Sequence, residues 1–390
     1  MKSRINERKE AGREHVKRLG YAMVNGETKL EKELNRRFRR SMQDLAHVSD
    51  EDGGDGYAFY DRKNEDYDVA MFVTGAYDAD IVRKACNWID GHRECFGDTI
   101  LEIGCDVGAM TTFLGLVFPE KRILAIDRCP KGVDVARRNC ERLGVTNVEL
   151  RCCDVAELDG EEFDTVFSMR TFHENDTTSG LEPGYVFAEY ARAYADGFSG
   201  YAKTVAGLIK AGGNLVSIEK FDRDSIMAGF LDAIGDAGLR PDMEAYEELR
   251  CRELGYSDVN LQAMSSAKDP QSEFDPVLCY VRCFTRYTDP TEAFYQGFEA
   301  RTMFWGTGGE LIRGFVGKID GQIAYRYEAR RHKDDTTCIV TYCSSGGNTF
   351  TGYHDVSELQ AVMDDMSRRE LEAMSAGYDE IVPVEDADEE

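Results

Sequence analysis

The sequence predicts an α/β fold: a doubly wound, mostly parallel sheet that is preceded by a helical extension and followed by a small α+β unit. Three observations support this prediction: the residue pattern of the central segment, and the different patterns of the segments before and after it. Between residues 99 and 238, short apolar runs alternate with helix-like segments, which is typical of βαβ units with helices on both faces of a parallel sheet. The residues before 76 are polar and helix-prone, and after about residue 285 apolar residues recur with a period of two.

The composition limits the classes of protein to which this chain can belong. A chain of 390 residues, of which 42% are hydrophobic, is long enough to bury a large core with smaller attached units. The formal net charge of −26 argues against broad, non-specific binding of nucleic acid. The 12 cysteines include no C-x-x-C pair and no spacing typical of zinc, so we expect a reducing, cytoplasmic setting and no metal site. No apolar run suggests a signal segment or a membrane span.

The N-terminal part, residues 1–75, is predicted to be a helical, partly basic extension that ends in a linker. Its basic cluster, "RRFRR" at Arg36–Arg40, is interpreted as a solvated helix face, with contact to RNA as the alternative. Residues 49–57 have the composition of a linker. A helix over 78–96 follows, because Ile81, Val82, Ala85, Trp88 and Ile89 recur at helical spacing.

The central segment, residues 76–285, is predicted to be the ligand-binding domain. Five strands are expected in it, over 99–105, 122–127, 148–154, 163–170 and 214–221. The helices between and after them are expected over 108–119, 132–144, roughly 185–210 and 224–237. Two late strands, over 245–254 and 276–284, complete the predicted sheet.

The C-terminal segment, residues 286–378, is predicted to be an appended α+β unit of about three strands and one helix. The strands are expected over 322–330, 336–344 and 348–354, with a hairpin turn at "KIDGQ" before the first. Asp355 and Glu358 have the spacing of a capping box that opens the helix. Residues 379–390 are expected to form an acidic tail.

The candidate site lies at the carboxyl ends of the predicted strands, where ligands bind in sheets of this kind. The first strand runs into a loop between Gly104 and Gly108, the second ends at Asp127 and the third at Asp154. Asp106 stands where a dinucleotide-binding loop has its second glycine, and a carboxylate beside a pyrophosphate is electrostatically unfavourable. The loop therefore favours a cofactor that brings positive charge.

The motifs "LEIGCDVG", "LAID", "CCDV" and "FDTVFSMRTFHE" resemble those of the class I (Rossmann-like) S-adenosylmethionine-dependent methyltransferases over about 95–285. The resemblance implies the seven-stranded sheet of that family and S-adenosyl-L-methionine as cofactor. It implies that Glu102 lies near the cofactor's ammonium group, and that Gly104 and Gly108 let the backbone wrap its methionine part. In the same way it implies that Asp127 holds the ribose hydroxyls and Asp154 the adenine amino group. The remaining predicted cofactor-binding residues are Cys105, Asp106, Arg128, Val155 and Met169.

The end of the fourth strand suggests the kind of acceptor. It lacks the Asn/Asp-Pro-Pro-Tyr/Phe signature of enzymes that methylate planar nitrogens, and it resembles small-molecule methyltransferases instead. We therefore expect direct displacement by an oxygen or nitrogen nucleophile of a small molecule. His173 is the predicted base, with a bond to neighbouring backbone as its structural alternative, and Glu174 orients it or binds substrate. Arg170 and Phe172 are the predicted substrate-binding residues.

Other functions stay open from the sequence. The first is a methyltransferase that acts on a protein or a tRNA, with the basic N-terminus and the C-terminal unit as docking surfaces. The second is a non-catalytic module that binds S-adenosylmethionine, which the unusual Asp106 permits. A nicotinamide-dependent reductase is disfavoured, because the second loop glycine is missing and no Tyr-x-x-x-Lys pair follows the fourth strand.

Overall fold

The computed structural model describes residues 2–46, 57–179, 187–221, 224–254, 257–274, 304–345 and 348–384, with isolated residues between 276 and 301. The chain divides into two compact units. The first comprises Met1–Asn175, Gly200–Phe221 and Ala237–Ser272, and the second comprises Asp176–Ser199, Asp222–Asp236 and Glu273–Glu390. Within the described residues, no helix combines the length and the apolar character that a membrane span requires.

Within the described residues, five α-helices precede the first strand of the first unit. They are α1 (Lys2–Leu19), α2 (Glu27–Phe38), α3 (Met42–Ala46), α4 (Tyr57–Lys63) and α5 (Tyr67–Gly91).

Helix α5 is longer at its N-terminus than the predicted helix over 78–96. Asp66 caps it, because its carboxylate accepts hydrogen bonds from the backbone N–H groups of Asp68 and Val69. The added turns bury Val69 and Val73, so the cap and the apolar stripe together move the start of the helix to Tyr67.

The predicted parallel sheet is present. Its first five strands are β1 (Thr99–Ile103), β2 (Arg122–Asp127), β3 (Val148–Cys152), β4 (Phe163–Met169) and β5 (Ile209–Lys220). They pair in parallel in the order β3-β2-β1-β4-β5. The strand order reverses at β1, because β2 and β3 lie on one side of it and β4 and β5 on the other, and this reversal creates the switch point at which α/β sheets bind ligands. The helices that follow β1, β2, β4 and β5 are α6 (Ala109–Val117), α7 (Pro130–Leu143), α8 (Phe187–Gly207) and α9 (Asp224–Asp236).

The late strands match the prediction in part, because the strand predicted over 245–254 is present. They are β6 (Leu239–Pro241), β7 (Glu247–Glu253) and β8 (Ser257–Lys268), and β8 runs antiparallel to β5. Along its other edge, β8 pairs with β7 near its start and with β6 near its end, so the sheet has eight strands. The strand predicted over 276–284 is wrong where that segment is described, because Pro276, Cys279 and Cys283 are helical.

Strand β8 was not predicted, because its polar residues weaken the hydrophobic pattern by which a strand is recognised in sequence. Its apolar residues Val259, Leu261 and Ala263 alternate with polar ones, and all three are buried against the rest of the sheet core. A short alternation of this kind is weaker in sequence than the continuous apolar run over 276–284.

The second unit contains an antiparallel sheet in the order β14-β10-β11-β12-β13-β9. Phe315, Tyr327 and Ile339 pack with Val362 and Met366 of the following helix to form its core. The strands are β9 (Tyr295–Gln296), β10 (Gly308–Ile319), β11 (Gln322–His332), β12 (Cys338–Ser345), β13 (Asn348–Asp355) and β14 (Glu380–Pro383), and the helix is α10 (Leu359–Ser375).

The prediction for this unit is correct for β11, β12, β13 and the helix, but three further strands were missed. The hairpin turn lies at Asp320 and Gly321, both at positive φ, and the capping box of Asp355 and Glu358 is present. Residues 380–383, which were predicted to belong to the acidic tail, pair with β10 as an edge strand.

Candidate functional site

A cavity of about 620 Å³ lies at the carboxyl ends of β1, β2 and β4. One part of its wall comes from these strand ends and the loops after them, and another comes from helices α3, α4 and α5. Of the predicted site residues, those on the wall are Glu102, Gly104, Cys105, Asp106, Asp127, Arg128, Asp154, Val155, Met169, Arg170 and Glu174. Gly108, Phe172 and His173 are not among the lining residues.

The glycine loop after β1 adopts a left-handed backbone at three positions: φ is +77° at Gly104, +41° at Asp106 and +78° at Gly108. A Cβ on Gly104 would lie 2.7 Å from Cγ2 of Thr171, so the loop passes closely beneath the segment after β4. A Cβ on Gly108 would lie 2.8 Å from Cβ of Ala136, so this glycine permits close packing of α6 on α7.

Asp106 is paired within the chain. Lys63 Nζ lies 2.5 Å from its Oδ2, and Asn64 Nδ2 donates to its Oδ1 at 2.8 Å. The interpretation of Asp106 as the mark of a cationic cofactor is therefore corrected, because Lys63 already balances its charge. Asp is also among the residues that tolerate positive φ best, which explains how the loop accepts it.

Asp127 holds the glycine loop in place and also faces the cavity. Its Oδ2 accepts from the backbone N–H of Asp106 and its Oδ1 from that of Cys129, both at 2.8 Å. Burial raises the pKa of Asp127, although these two hydrogen bonds oppose the shift. Each carboxylate oxygen has a second lone pair, so the side chain retains the capacity to accept from a ligand.

Asp154 follows β3 and also caps a short 3₁₀ turn. Its Oδ1 accepts from the backbone N–H of Ala156 at 2.9 Å, and Glu157 completes a capping box. This local hydrogen bond orients Asp154 and Val155 on the cavity wall at the end of the strand.

Glu102 is the most deeply buried acid of the cavity wall, with a relative exposure of 2%. Burial raises its pKa to about 8. Among the described residues, its Oε2 makes no hydrogen bond of good geometry, although the hydroxyl of Thr111 lies close enough to oppose the rise in the pKa. An unpartnered buried carboxyl oxygen at the edge of a cavity is the arrangement that a bound ammonium group would complete.

The segment after β4 turns sharply at Arg170, whose φ is +60°. Its guanidinium group lies between two carboxylates: Nη1 is 2.9 Å from Oδ1 of Asp78, and Nη2 is 3.5 Å from Oε1 of Glu253. All three side chains line the cavity. Because a non-glycine residue at positive φ is unfavourable, these ion pairs offset the strain of the turn.

The structure brings only some of the predicted catalytic and substrate-binding residues to the cavity wall. Glu174 lines the cavity, and its Oε1 accepts from the hydroxyl of Tyr60 at 3.3 Å. His173 is exposed and is not brought to the cavity wall. Phe172 is fully buried, with its ring centroid 4.8 Å from that of Tyr201, so the prediction that it contacts substrate is corrected to a packing role.

Sequence reasoning missed Glu219 at the end of β5. Its carboxylate accepts from the hydroxyl of Ser168 at 2.6 Å and from the backbone N–H groups of Thr171 and Phe172, at 3.4 and 3.3 Å. Burial raises its pKa to about 7. In α/β sheets, ligand-binding residues lie at the carboxyl ends of strands. The same inspection of the fifth predicted strand as of the first four would have found Glu219. Lys63 and Tyr60 had no comparable signal, since they lie in the extension.

The parallel order β3-β2-β1-β4-β5, the antiparallel β8 beside β5 and a glycine loop flanked by carboxylates define a class I S-adenosylmethionine-dependent methyltransferase fold. Residues 100–196 match the family model described as a methyltransferase domain. The chain therefore carries a methyltransferase domain of this class, as the sequence predicted, and S-adenosylmethionine is the cofactor of the class.

Curated relatives match short parts of the chain. A malonyl-[acyl-carrier protein] O-methyltransferase of Acetivibrio thermocellus is 38% identical over 74 residues, which is 19% of this chain and 25% of that protein. A release factor glutamine methyltransferase of Escherichia coli is 29% identical over 119 residues, 30% of this chain and 43% of that protein. The chain thus spans about a quarter of the first relative and less than half of the second.

Among solved structures, a magnesium protoporphyrin IX methyltransferase from Synechocystis, with S-adenosylmethionine bound, is 15% identical with a TM-score of 0.36. The match covers 64% of this chain and 99% of that one.

Proposed function

We propose that this protein transfers the methyl group of S-adenosylmethionine to an oxygen or nitrogen nucleophile of a small molecule. One observation carries the proposal: a single cavity has Glu102, Asp127 and Asp154 of three adjacent strand ends on its wall, together with Arg170 and Glu174 of the segment after β4. A cofactor site and an acceptor site that share one cavity are what a direct displacement requires.

The cofactor-holding roles follow from the chemistry of the wall. Glu102 would receive the ammonium group on its unpartnered Oε2. Asp127 would accept from ribose hydroxyls with its remaining lone pairs, and Asp154 with Val155 would contact the adenine. When bound, S-adenosylmethionine supplies a sulfonium-activated methyl group, so the protein has mainly to align the acceptor and exclude water.

The acceptor-side roles belong to residues of α4 and of the segment after β4. A base is needed only where the nucleophile carries a proton that must leave. Glu174 has the better position for that role, because it lines the cavity whereas its neighbour His173, which is also exposed, does not. The hydroxyl of Tyr60 donates to Glu174 and fixes the orientation of its carboxylate. Arg170 holds the shape of the acceptor end through Asp78 and Glu253.

A calorimetric titration tests the cofactor half of the proposal. We expect S-adenosylmethionine and S-adenosylhomocysteine to bind with micromolar affinity and to raise the melting temperature by mass action, and NAD and NADP to do neither. Asp127→Ala should abolish the binding. Asp134→Ala is the matched control, because Asp134 is exposed on α7 and pairs only with Arg137 in the described ion pairs. Binding of a nicotinamide cofactor alone would refute the proposal.

A macromolecular acceptor is the second candidate, and the similarity to a release factor glutamine methyltransferase is the observation that favours it. Against it, the predicted basic docking cluster is already engaged: Arg36 and Arg37 both pair with Glu33, and Arg37 also covers the ring of Phe72. A non-catalytic role would be favoured if S-adenosylhomocysteine bound tightly while no acceptor, small or large, yielded methylated product.

A further inference from the structure

The wall of the cavity is strongly acidic. Among the described residues that line it are seven carboxylic acids and three cationic side chains. Burial raises the pKa of Glu102 to about 8 and so reduces its contribution to the charge of the wall near neutral pH. The other six acids still outnumber the three cations two to one, so the wall favours a positively charged ligand, although burial also raises the pKa of Asp78, Asp127 and Glu174.

The pairing of these groups leaves the acceptor end acidic. Lys63 is matched by Asp106, while the single guanidinium of Arg170 is shared by Asp78 and Glu253. The ammonium of Lys220 approaches Oε2 of Glu253 at 4.0 Å, but Lys220 is not among the lining residues. Arg128, the third cation of the wall, lies close enough to Glu174 to oppose the rise in its pKa, so it also faces an acid of the chain. An acceptor with a carboxylate or phosphate would therefore find each of these cations facing an acid and would meet repulsion from the remaining acids.

Aromatic rings surround these acids. Phe59, Tyr60, Tyr77 and Tyr201 line the cavity. The Tyr60 ring already contacts one cation of the chain, with Nζ of Lys63 at 5.0 Å from its centroid, and Asp106 balances the charge of that ammonium. Glu174 is held beside this ring by the hydroxyl of Tyr60. Ring faces combined with carboxylates form a lining that attracts organic cations.

We infer that the methyl acceptor is the nitrogen of a small organic amine, which enters the cavity as a cation between Glu174 and the aromatic rings around Tyr60. This inference rests on the proposed function and narrows its substrate class. It favours nitrogen over oxygen as the acceptor atom, and it excludes acceptors whose reacting end is anionic.

A residue of this lining can accept the proton that the amine must lose before it is methylated. The ammonium group loses one proton to Glu174, which is exposed enough to pass it to solvent. The freed nitrogen lone pair forms the new bond to the methyl carbon, and the sulfur keeps the electron pair of the bond that breaks. The product is an N-methylated ammonium ion, so the charge that the cavity binds is present before and after the reaction.

Binding of matched probes to the protein loaded with S-adenosylhomocysteine tests the inference. Phenethylamine, 2-phenylethanol and phenylacetate share a ring and differ in the charge of the reacting end. By calorimetry we expect phenethylamine to bind at least roughly tenfold more tightly than the other two. Equal or tighter binding of phenylacetate, or no measurable binding of the amine, overturns the inference.

A substitution at Glu174 distinguishes recognition of the charge of the amine from recognition of its shape. Glu174→Gln should weaken phenethylamine by roughly tenfold and leave 2-phenylethanol and S-adenosylhomocysteine unchanged. Glu370→Gln, which removes an acid paired with Arg313 in the second unit, is the control and should change none of the three. An equal loss for amine and alcohol overturns the inference. Failure of the wild-type protein to bind S-adenosylhomocysteine would instead refute the proposed function on which it rests.

Discussion

Lys63 Nζ lies 2.5 Å from Oδ2 of Asp106, and the Lys63 side chain is only 4% exposed. The same ammonium donates to the hydroxyl of Thr74 on α5 at 3.0 Å. The pair joins helix α4 of the N-terminal extension to the glycine loop of the sheet. It also explains how a loop position that is usually glycine carries a charged residue.

Loss of Lys63 should destabilise the protein. In Lys63→Met the carboxylate of Asp106 keeps its position without its cation, and because this side chain is 26% exposed, removal of its partner should lower the free energy of unfolding by about 2 kcal/mol, between the losses for surface and for buried ion pairs. Urea denaturation measures the change. Lys131→Met is the control, because Lys131 pairs with Asp61 and Glu65 at the surface, and we expect a loss below about 1 kcal/mol.

Replacement of Asp106 should rescue that loss. Asp106→Gly in the Lys63→Met background removes the unpaired carboxylate and supplies a residue suited to a φ of +41°. We expect the double variant to recover at least half of the stability lost in the single one. Additive effects of the two substitutions would contradict the coupling of Lys63 to Asp106.

The stability of the cofactor-free protein should fall as the pH rises towards 8. Burial raises the pKa of Glu102 to about 8, well above its ordinary value, so the folded state binds a proton that the unfolded state has already released. Each pH unit in this window lowers the free energy of unfolding by roughly 1.4 kcal/mol for this group.

Denaturation at several pH values between about 5 and about 8, in wild type and Glu102→Gln, isolates that contribution. Glu219, with a pKa raised to about 7, adds its own slope at the lower end in both proteins. The glutamine variant should lose the slope due to Glu102 alone. Parallel stability curves for the two proteins would show that Glu102 is ionised in the folded state.

His173 and Glu174 should differ in their effect on turnover. Glu174 lines the cavity and accepts from Tyr60, whereas His173 is not on the cavity wall. Glu174→Gln should therefore lower kcat by roughly a hundredfold and His173→Ala by less than about threefold. Single-turnover kinetics with saturating cofactor measures both. A large loss in His173→Ala with unchanged cofactor affinity would restore His173 as the base.

Phe172 should matter for stability rather than for substrate affinity. Its ring is fully buried against Tyr201, so Phe172→Ala should lower the free energy of unfolding by about 3 kcal/mol. Phe172→Leu keeps most of the volume and should lose much less. Thermal unfolding of both variants, with the KM of the acceptor measured at a temperature where both are folded, distinguishes packing from a substrate contact.

Much of the fold could be predicted because its signals are local. Strands β1 to β5 are short apolar runs bounded by turn residues, and the capping box of Asp355 and Glu358 needs only their spacing. The strands that were not predicted depend on contacts that are not local in sequence. Strand β8 and the edge strand β14 are polar enough to resemble loops, and they are stabilised by pairing with distant strands.

The candidate site was predicted in part for a similar reason. Asp127 and Asp154 stand at strand ends, and parallel topology brings strand ends together whatever the details of packing. Phe172 and His173 lie in the segment after β4, where the turn at Arg170 decides which side chain faces the cavity. The positive φ of a non-glycine residue has no reliable sequence signal, so their burial and exposure could not be foreseen.

The sequence by itself determined the class of this protein, since the order of apolar strands, a glycine loop and the carboxylates that follow them depends on local periodicity and turn chemistry. Only the tertiary structure decided how the charges of the site are used. Lys63 precedes Asp106 by 43 residues, and Asp78 precedes Arg170 by 92. Whether a carboxylate meets a cation of its own chain or remains available to a ligand depends on contacts across such separations, and no local pattern encodes them.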